Sequence, residues 1–193
     1  YHGPSFYCHS VFVARFGHAG RVLPTLTGFA RERPDDLDVQ LALLQALISN
    51  ERWQEAILFS HRLSDRWPNR PQIYLFRSKA WQALDDLPRA HLVVRLAIAR
   101  QPRLGDVLIR HGHVLRALGE HERALARFRK AEEMLPTNRN AVLPGLWTAC
   151  YTGHDGDALY FIQRYHVNYA QDPAMQIRAG RTSPPRASTT VSN

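Results

Sequence analysis

The sequence predicts an all-α protein, a solenoid of about five antiparallel helix pairs, and two regularities lead to this prediction. Prolines recur at intervals of 34 residues, at Pro34, Pro68, Pro102 and Pro136. Alanines recur at the same interval and in the same phase, at Ala56, Ala90, Ala124 and Ala158. A repeat of this length is typical of arrays in which each unit is a helix–turn–helix that packs only on its neighbours.

The fourth copy shows how a unit is built. Its first helix is predicted over residues 106–118, where apolar residues recur at helical spacing: Val107, Leu108, Val114, Leu115 and Leu118. Asp106 is the predicted N-cap of this helix, and Gly119 ends it. A second helix over residues 120–135 stops before Pro136, because proline has no amide hydrogen to donate and disfavours a helical residue before it.

The same signals place the other helices in order. Polar or glycine-containing turns separate the two helices of successive pairs, at residues 50–52, 85–87, 119–121 and 153–156. Pro71 and Pro88 fall near helix starts, where proline is tolerated. The predicted units cover residues 3–36, 37–70, 71–104, 105–138 and 139–172, within a repeat domain over residues 1–173. Residues 174–193 are rich in Ser, Thr, Pro and Arg, and we expect them to form a disordered basic tail.

With these elements in place, the chain resembles the tetratricopeptide repeat family. The clearest copy of the family's motif is in the fourth unit: Gly112, Leu115, Gly119, Ala124, Phe128, Ala131 and Pro136. The pattern weakens in the terminal units, where Pro24 and Pro144 fall inside predicted helices. The resemblance implies a right-handed superhelix whose concave groove is lined by the first helix of each pair. It also implies a non-enzymatic scaffold or adaptor that binds a protein partner.

Three columns of residues are expected to line this groove, because positions four and then three apart share a helix face. The first column is Leu41, Leu75, Ile109 and Leu143. The second is Gln45, Lys79, His113 and Trp147, preceded by Val11 in the first unit. The third is Ile48, Gln82, Arg116 and Cys150, and Tyr7 and Tyr151 are further aromatic candidates.

The chemistry of these columns predicts the kind of partner. An apolar strip beside hydrogen-bond donors and aromatic residues suits an extended peptide or a partner helix. Lys79, Arg110 and Arg116, with His111 and His113 nearby, favour acidic groups in the middle of the groove. We therefore expect a protein or peptide partner with acidic and apolar groups. The alternative is that the apolar column packs neighbouring units together and the charges are simply solvated.

No motif points to catalysis, a cofactor or a metal ion. The sequence contains no GxGxxG, P-loop, GxSxG or HExxH pattern. His111 and His113 are a close pair, but residues two apart on a helix point about 200° apart. They are therefore poorly placed to hold one metal ion together. We predict that the chain is not an enzyme and has no cofactor.

Composition excludes several classes of protein. The 193 residues are 45% hydrophobic and 22% charged, and their longest apolar runs fall far short of the roughly 20 residues of a membrane span. Disorder, collagen and an integral membrane protein are excluded for the bulk of the chain. The two cysteines, Cys8 and Cys150, are too few for a disulfide framework and favour the cytoplasm. A periplasmic protein stays open, because removal of a signal peptide before Tyr1 would leave the same sequence.

The net charge of +8 keeps two alternatives in view. Nucleic acid is disfavoured as the partner, because the arginines are spread along the chain instead of forming a block. If nucleic acid did bind, its affinity would fall steeply with salt. The second alternative is that the chain is the non-catalytic arm of a larger enzyme or of a bacterial secretion or assembly protein. The start at Tyr1, without a methionine, and the linker-like tail motivate this interpretation.

Overall fold

The computed structural model describes residues 19–136 and 138–169 of the chain. Within these ranges there are nine helices and no strand. In chain order the helices are α1 (Ala19–Glu32), α2 (Leu37–Ser49), α3 (Trp53–Arg66), α4 (Pro71–Ala83), α5 (Leu87–Arg100), α6 (Gly105–Ala117), α7 (His121–Met134), α8 (Arg139–Thr152) and α9 (Asp155–Tyr169). The predicted first helix of the first unit, the tail at 174–193, and Tyr7, Cys8 and Val11 lie outside the described residues.

Helices α2 to α9 form four successive pairs, and α1 is the second helix of the preceding unit. Consecutive helices contact one another along the chain. The first helices of neighbouring pairs also touch, because α2 contacts α4, α4 contacts α6, and α6 contacts α8. The first helices therefore stack side by side in one layer. This arrangement confirms the predicted all-α helical repeat.

The described helices do not include a candidate membrane span, since none is both long and apolar enough to cross a bilayer. The core instead runs along the array as a series of clusters between adjacent helices. Alanines that the repeat predicts at helix contacts have no exposed surface: Ala90, Ala97, Ala124 and Ala131. Trp53 and Trp81 pack, partly buried, against the first of these clusters. Each unit therefore buries its apolar surface against its neighbours.

The turn inside each pair has the same backbone conformation in all four pairs. One residue per turn lies in the left-handed region, with φ of 58° at Glu51, 60° at Asp85, 80° at Gly119 and 71° at Gly153. These positions are 34 residues apart. Glycine adopts this conformation without steric cost, whereas a side chain with a Cβ atom is strained there. Gly119 thus ends the first helix of its unit, as predicted.

The start of α6 differs from the prediction. The helix begins at Gly105, and its N-cap is Leu104, which makes no side-chain capping bond. The predicted N-cap at Asp106 is therefore wrong. A Cβ atom on Gly105 would lie 2.4 Å from Leu135 Cδ1, so the missing side chain lets the helix start pack against the end of α7. Asp106 lies in the first turn, where its carboxylate interacts favourably with the helix dipole.

The two helices of the fourth pair approach closely because a glycine faces a buried aromatic ring. A Cβ atom on Gly112 would lie 2.5 Å from Phe128 Cε1, which is far inside van der Waals contact. In the last pair, a Cβ atom on Gly145 would lie 2.3 Å from Phe161 Cζ. Both rings are fully buried. Gly145 and Phe161 follow Gly112 and Phe128 by 33 residues each, one fewer than the repeat length of 34.

Replacement of Gly112 should therefore separate this helix pair. We expect Gly112→Ala to lower the free energy of unfolding by about 1–3 kcal/mol, since the added methyl group overpacks the contact with Phe128. Gly28 is a matched control inside α1, because no atom lies within 4 Å of its ideal Cβ position. Gly28→Ala should instead raise the stability by about 0.5–1 kcal/mol through helix propensity. Urea unfolding followed by circular dichroism measures both, and equal effects would contradict the packing argument.

Candidate partner-binding face

The predicted groove residues lie on α2, α4, α6 and α8, whose stacking brings equivalent positions side by side. Their apolar members contribute mainly to packing. Leu41, Leu75 and Leu143 are partly buried against core clusters. Ile48 and Ile109 are only 3% and 7% exposed. These five side chains offer little surface to a partner, and their contact with one stays a prediction.

The other predicted residues have accessible side chains, and we name them the first-helix face: Gln45, Lys79, Gln82, His113, Arg116, Trp147 and Tyr151. Its middle, on α4 and α6, is polar and cationic. Its end, on α8, is aromatic. Cys150 lies beside the aromatic end as an exposed free thiol.

A largely buried arginine underlies the middle of the face and joins two units. Arg110 Nε donates to Ser78 Oγ at 3.1 Å, and its Nη2 donates to Ser78 O at 2.9 Å and to Gln82 Oε1 at 2.7 Å. These bonds run from α6 to α4. Burial lowers the pKa of Arg110 to about 10, so the guanidinium remains charged at neutral pH. Its hydrogen-bond partners are all neutral groups, and its charge is therefore not cancelled locally.

Lys79 and Arg116 add two further cations to this part of the face. Desolvation lowers the pKa of Lys79, and repulsion by Arg110 lowers it further. Arg116 follows on α6, between one and two turns beyond Arg110. Among residues 19–136 and 138–169, no acidic side chain forms an ion pair with Lys79, Arg110 or Arg116. The middle of the face thus has a positive potential that the described residues do not balance.

The pKa of His113 responds both to burial and to this positive potential. Its ring packs edge-on against Phe128, with the ring centroids 5.4 Å apart. Burial lowers the pKa of His113 to about 4, with additional repulsion from Arg116 and then Arg110. The ring is therefore neutral at pH 7. It can offer a hydrogen bond to a ligand but adds no charge to the face.

His111 does not belong to this face, which corrects the prediction that it adds to the basic middle. It is 3% exposed and stacks on His91 of α5, with the two Nε2 atoms 3.3 Å apart. Its position one residue after Arg110 turns it toward the second helices instead. Burial lowers the pKa of His111 to about 4, and Arg127 is the largest of several charges that lower it further. Across the described residues, no three His, Cys, Asp or Glu side chains come together in a way that could hold a metal ion.

The aromatic end of the face borders a shallow cavity of about 260 Å³. Its lining residues come from α6, α7 and α8: Arg116, His121, Trp147, Thr148, Tyr151 and Thr152. Trp147 is 56% exposed and Tyr151 is 96% exposed, and the two lie one turn apart on α8. Sequence reasoning found Arg116, Trp147 and Tyr151 but missed the other three. Thr148 and Thr152 are four residues apart and therefore share one side of α8, but neither belongs to a predicted groove column.

Several solved structures share this architecture. A thermophilic TPR protein from Thermus thermophilus superimposes with a TM-score of 0.75 at 19% identity, over 89% of this chain and 94% of that one. MamA superimposes with a TM-score of 0.64 at 15% identity, over 81% and 91% of the two chains. A MamA fragment from Desulfovibrio magneticus RS-1 gives 0.59 at 15% identity, over 93% and 97%.

These structures identify the fold. The chain has the tetratricopeptide-repeat fold, an all-α array of helix pairs. The resemblance seen in the sequence is thereby confirmed for the fold. No family model matches the chain, and no curated protein matches its sequence.

The buried histidines predict that acid destabilises the protein. An unfolded histidine has a pKa of about 6.5, whereas His111 and His113 have pKa values of about 4 when folded. The unfolded chain therefore takes up protons first, and the free energy of unfolding should fall as the pH drops from about 6.5 to about 4. The loss is up to about 3 kcal/mol for each histidine, and full stability is present above a pH of about 6.5.

Urea unfolding at pH values of about 7, 5.5 and 4.5 measures this loss, and His113→Gln should reduce its slope. NMR titration of the His113 ring gives a direct check. A ring that titrates near its ordinary pKa would contradict the burial and the repulsion described for it.

Proposed function

We propose that the protein is a non-enzymatic scaffold that binds an acidic segment of a partner protein along the first-helix face. The observation that carries this proposal is the cluster of Lys79, Arg110 and Arg116, which has no acidic partner among the described residues. A carboxylate placed here would offset the repulsion that, after burial, lowers the pKa of Lys79 and of His113. Electrostatic complementarity of this kind selects partners and speeds their association.

The neutral polar residues of the face supply the second part of the recognition. The Gln82 oxygen accepts from Arg110, so its amide group is left to donate to a carbonyl or a carboxylate. Gln45 lies one unit earlier, at the position equivalent to Lys79, and is partly exposed. Glutamine side chains in these positions can bond to the backbone of a peptide laid across several units. An extended or helical segment is therefore a suitable occupant.

Charge pairing elsewhere reduces the positive charge available to a nucleic acid. Outside the face, six arginines form ion pairs with acidic residues: Arg52 with Glu55, Arg66 with Asp35, Arg89 with Asp86, Arg123 with Glu120, Arg129 with Asp157 and Arg164 with Glu132. Each exposed pair contributes at most about 1 kcal/mol to stability, but it cancels much of the local positive charge. A phosphate backbone needs a continuous row of available cations. The proposal applies equally if the array is an arm of a longer enzyme or of a secretion or assembly protein.

Charge reversal tests this function. The acidic probe is a fluorescein-labelled peptide of about twelve residues, made of glutamate and serine with one central phenylalanine. We expect Lys79→Glu with Arg116→Glu to weaken its binding at least about tenfold in fluorescence anisotropy, because attraction becomes repulsion. Added salt should weaken binding to the unaltered protein, since exposed charges are screened. Circular dichroism should show unchanged helicity, because neither side chain has an ion-pair partner among the described residues to lose.

Lys130→Glu with Arg95→Glu is the matched control, since these two exposed cations lie on the second helices α7 and α5. The control should leave binding of the acidic probe nearly unchanged. Equal binding by the two double variants would overturn the assignment of the face.

A further inference from the structure

The cavity at the aromatic end of the first-helix face has walls suited to an apolar group. Its exposed lining is almost entirely apolar. Thr148 Oγ1 donates to Pro144 O at 2.6 Å, and Thr152 Oγ1 donates to Thr148 O at 2.8 Å. The hydroxyl donors of both threonines are therefore used inside α8, and Thr152, which is partly exposed, can present its methyl group.

The size of the cavity favours a single side chain. Its volume of about 260 Å³ is below the roughly 300–1,000 Å³ of sites that enclose small molecules. Two aromatic rings at one turn's spacing, Trp147 and Tyr151, leave large apolar surfaces in water. Aromatic rings that pack in offset or edge-to-face arrangements are stabilised beyond the burial of their area. An aromatic side chain is therefore the occupant that gains most here.

Arg116 joins this cavity to the cationic middle of the face. It lines the cavity on α6 and forms no ion pair with the described acidic residues. A carboxylate bound to Arg116 would thus sit at the rim while a neighbouring side chain enters the cavity. Trp, Tyr and Arg are also the residue types that carry most of the binding energy in protein interfaces.

The geometry points to an anchor pocket: the cavity takes an aromatic side chain of the acidic partner segment, from a residue next to a carboxylate held by Arg116. This inference rests on the proposed function and specifies its partner further. The bound segment carries an acidic residue beside an aromatic one, and Trp147 and Tyr151 contact the aromatic side chain.

A coupling experiment tests the pocket with the acidic probe and a version in which alanine replaces its phenylalanine. Loss of the phenylalanine should weaken binding to the unaltered protein about tenfold or more. Trp147→Ala and Tyr151→Ala should each weaken binding of the phenylalanine probe by a similar factor and leave the alanine probe nearly unaffected. A third probe, with glutamine in place of the glutamates next to phenylalanine, should bind more weakly and should lose its response to Arg116→Ala.

Leu159→Ala is the control, because this residue is 60% exposed on α9 and does not line the cavity. Leu159→Ala should bind the phenylalanine probe and the alanine probe as tightly as the unaltered protein does. If both probes bind equally and Lys79→Glu with Arg116→Glu still weakens binding at least about tenfold, the pocket is overturned and the proposed function stands. If the probes differ but Trp147→Ala shows no coupling, the anchor lies elsewhere and this inference fails. If no probe binds, both the function and the pocket fail.

Discussion

The two helices of the last two pairs can lie close together because a glycine on the first helix faces a phenylalanine on the second. In the fourth unit the combination is Gly112 with Phe128, for which any Cβ atom would collide with the ring. The equivalent positions are Ser78 with Val94 in the third unit and Leu44 with Ser60 in the second, all fully buried. Each of these combinations contains one small residue, glycine or serine, as suits a close-packed interior. The first helices stack in one layer, and this stacking places Lys79 of α4 near Arg110 of α6.

The period made the helices and turns predictable because it records a packing unit, and each unit repeats the same contacts. The period does not predict how deeply a side chain is buried. Ile48 and Ile109 fit the groove columns by spacing, yet both are buried, since burial depends on helices of the neighbouring unit. His111 fails in the same way, because His91 of α5 covers it. The N-cap of α6 was missed since the signal is a missing side chain, Gly105, and not a capping group. The cavity combines three helices, and no single helix pattern contains it.

The basic side chains behind the net charge of +8 fall into two groups in the structure. On the second helices and in the turns, arginines such as Arg89 and Arg129 are held beside acidic residues and over aromatic rings. On the first helices, Lys79 and Arg110 repel one another, and serine and glutamine satisfy the geometry of Arg110 without neutralising it. Composition therefore overstates the basic surface, because it counts paired and unpaired arginines alike. Electrostatic recognition of a partner depends on the local potential of a surface and not on the net charge of the chain.

Mechanical behaviour follows from the way units are tied at their ends. Arg66 donates to Pro34 O, and Asn168 donates to Pro136 O, each across one boundary between units. The same position in the fourth unit is Met134, whose side chain has no donor. Apolar side chains cross that boundary, and Arg110 adds its bonds to α4 there. The boundaries between units are thus held by different polar contacts, and the one between the third and fourth units lies beneath the cationic face. A ligand that drew Arg110 outward would break these bonds and loosen that boundary.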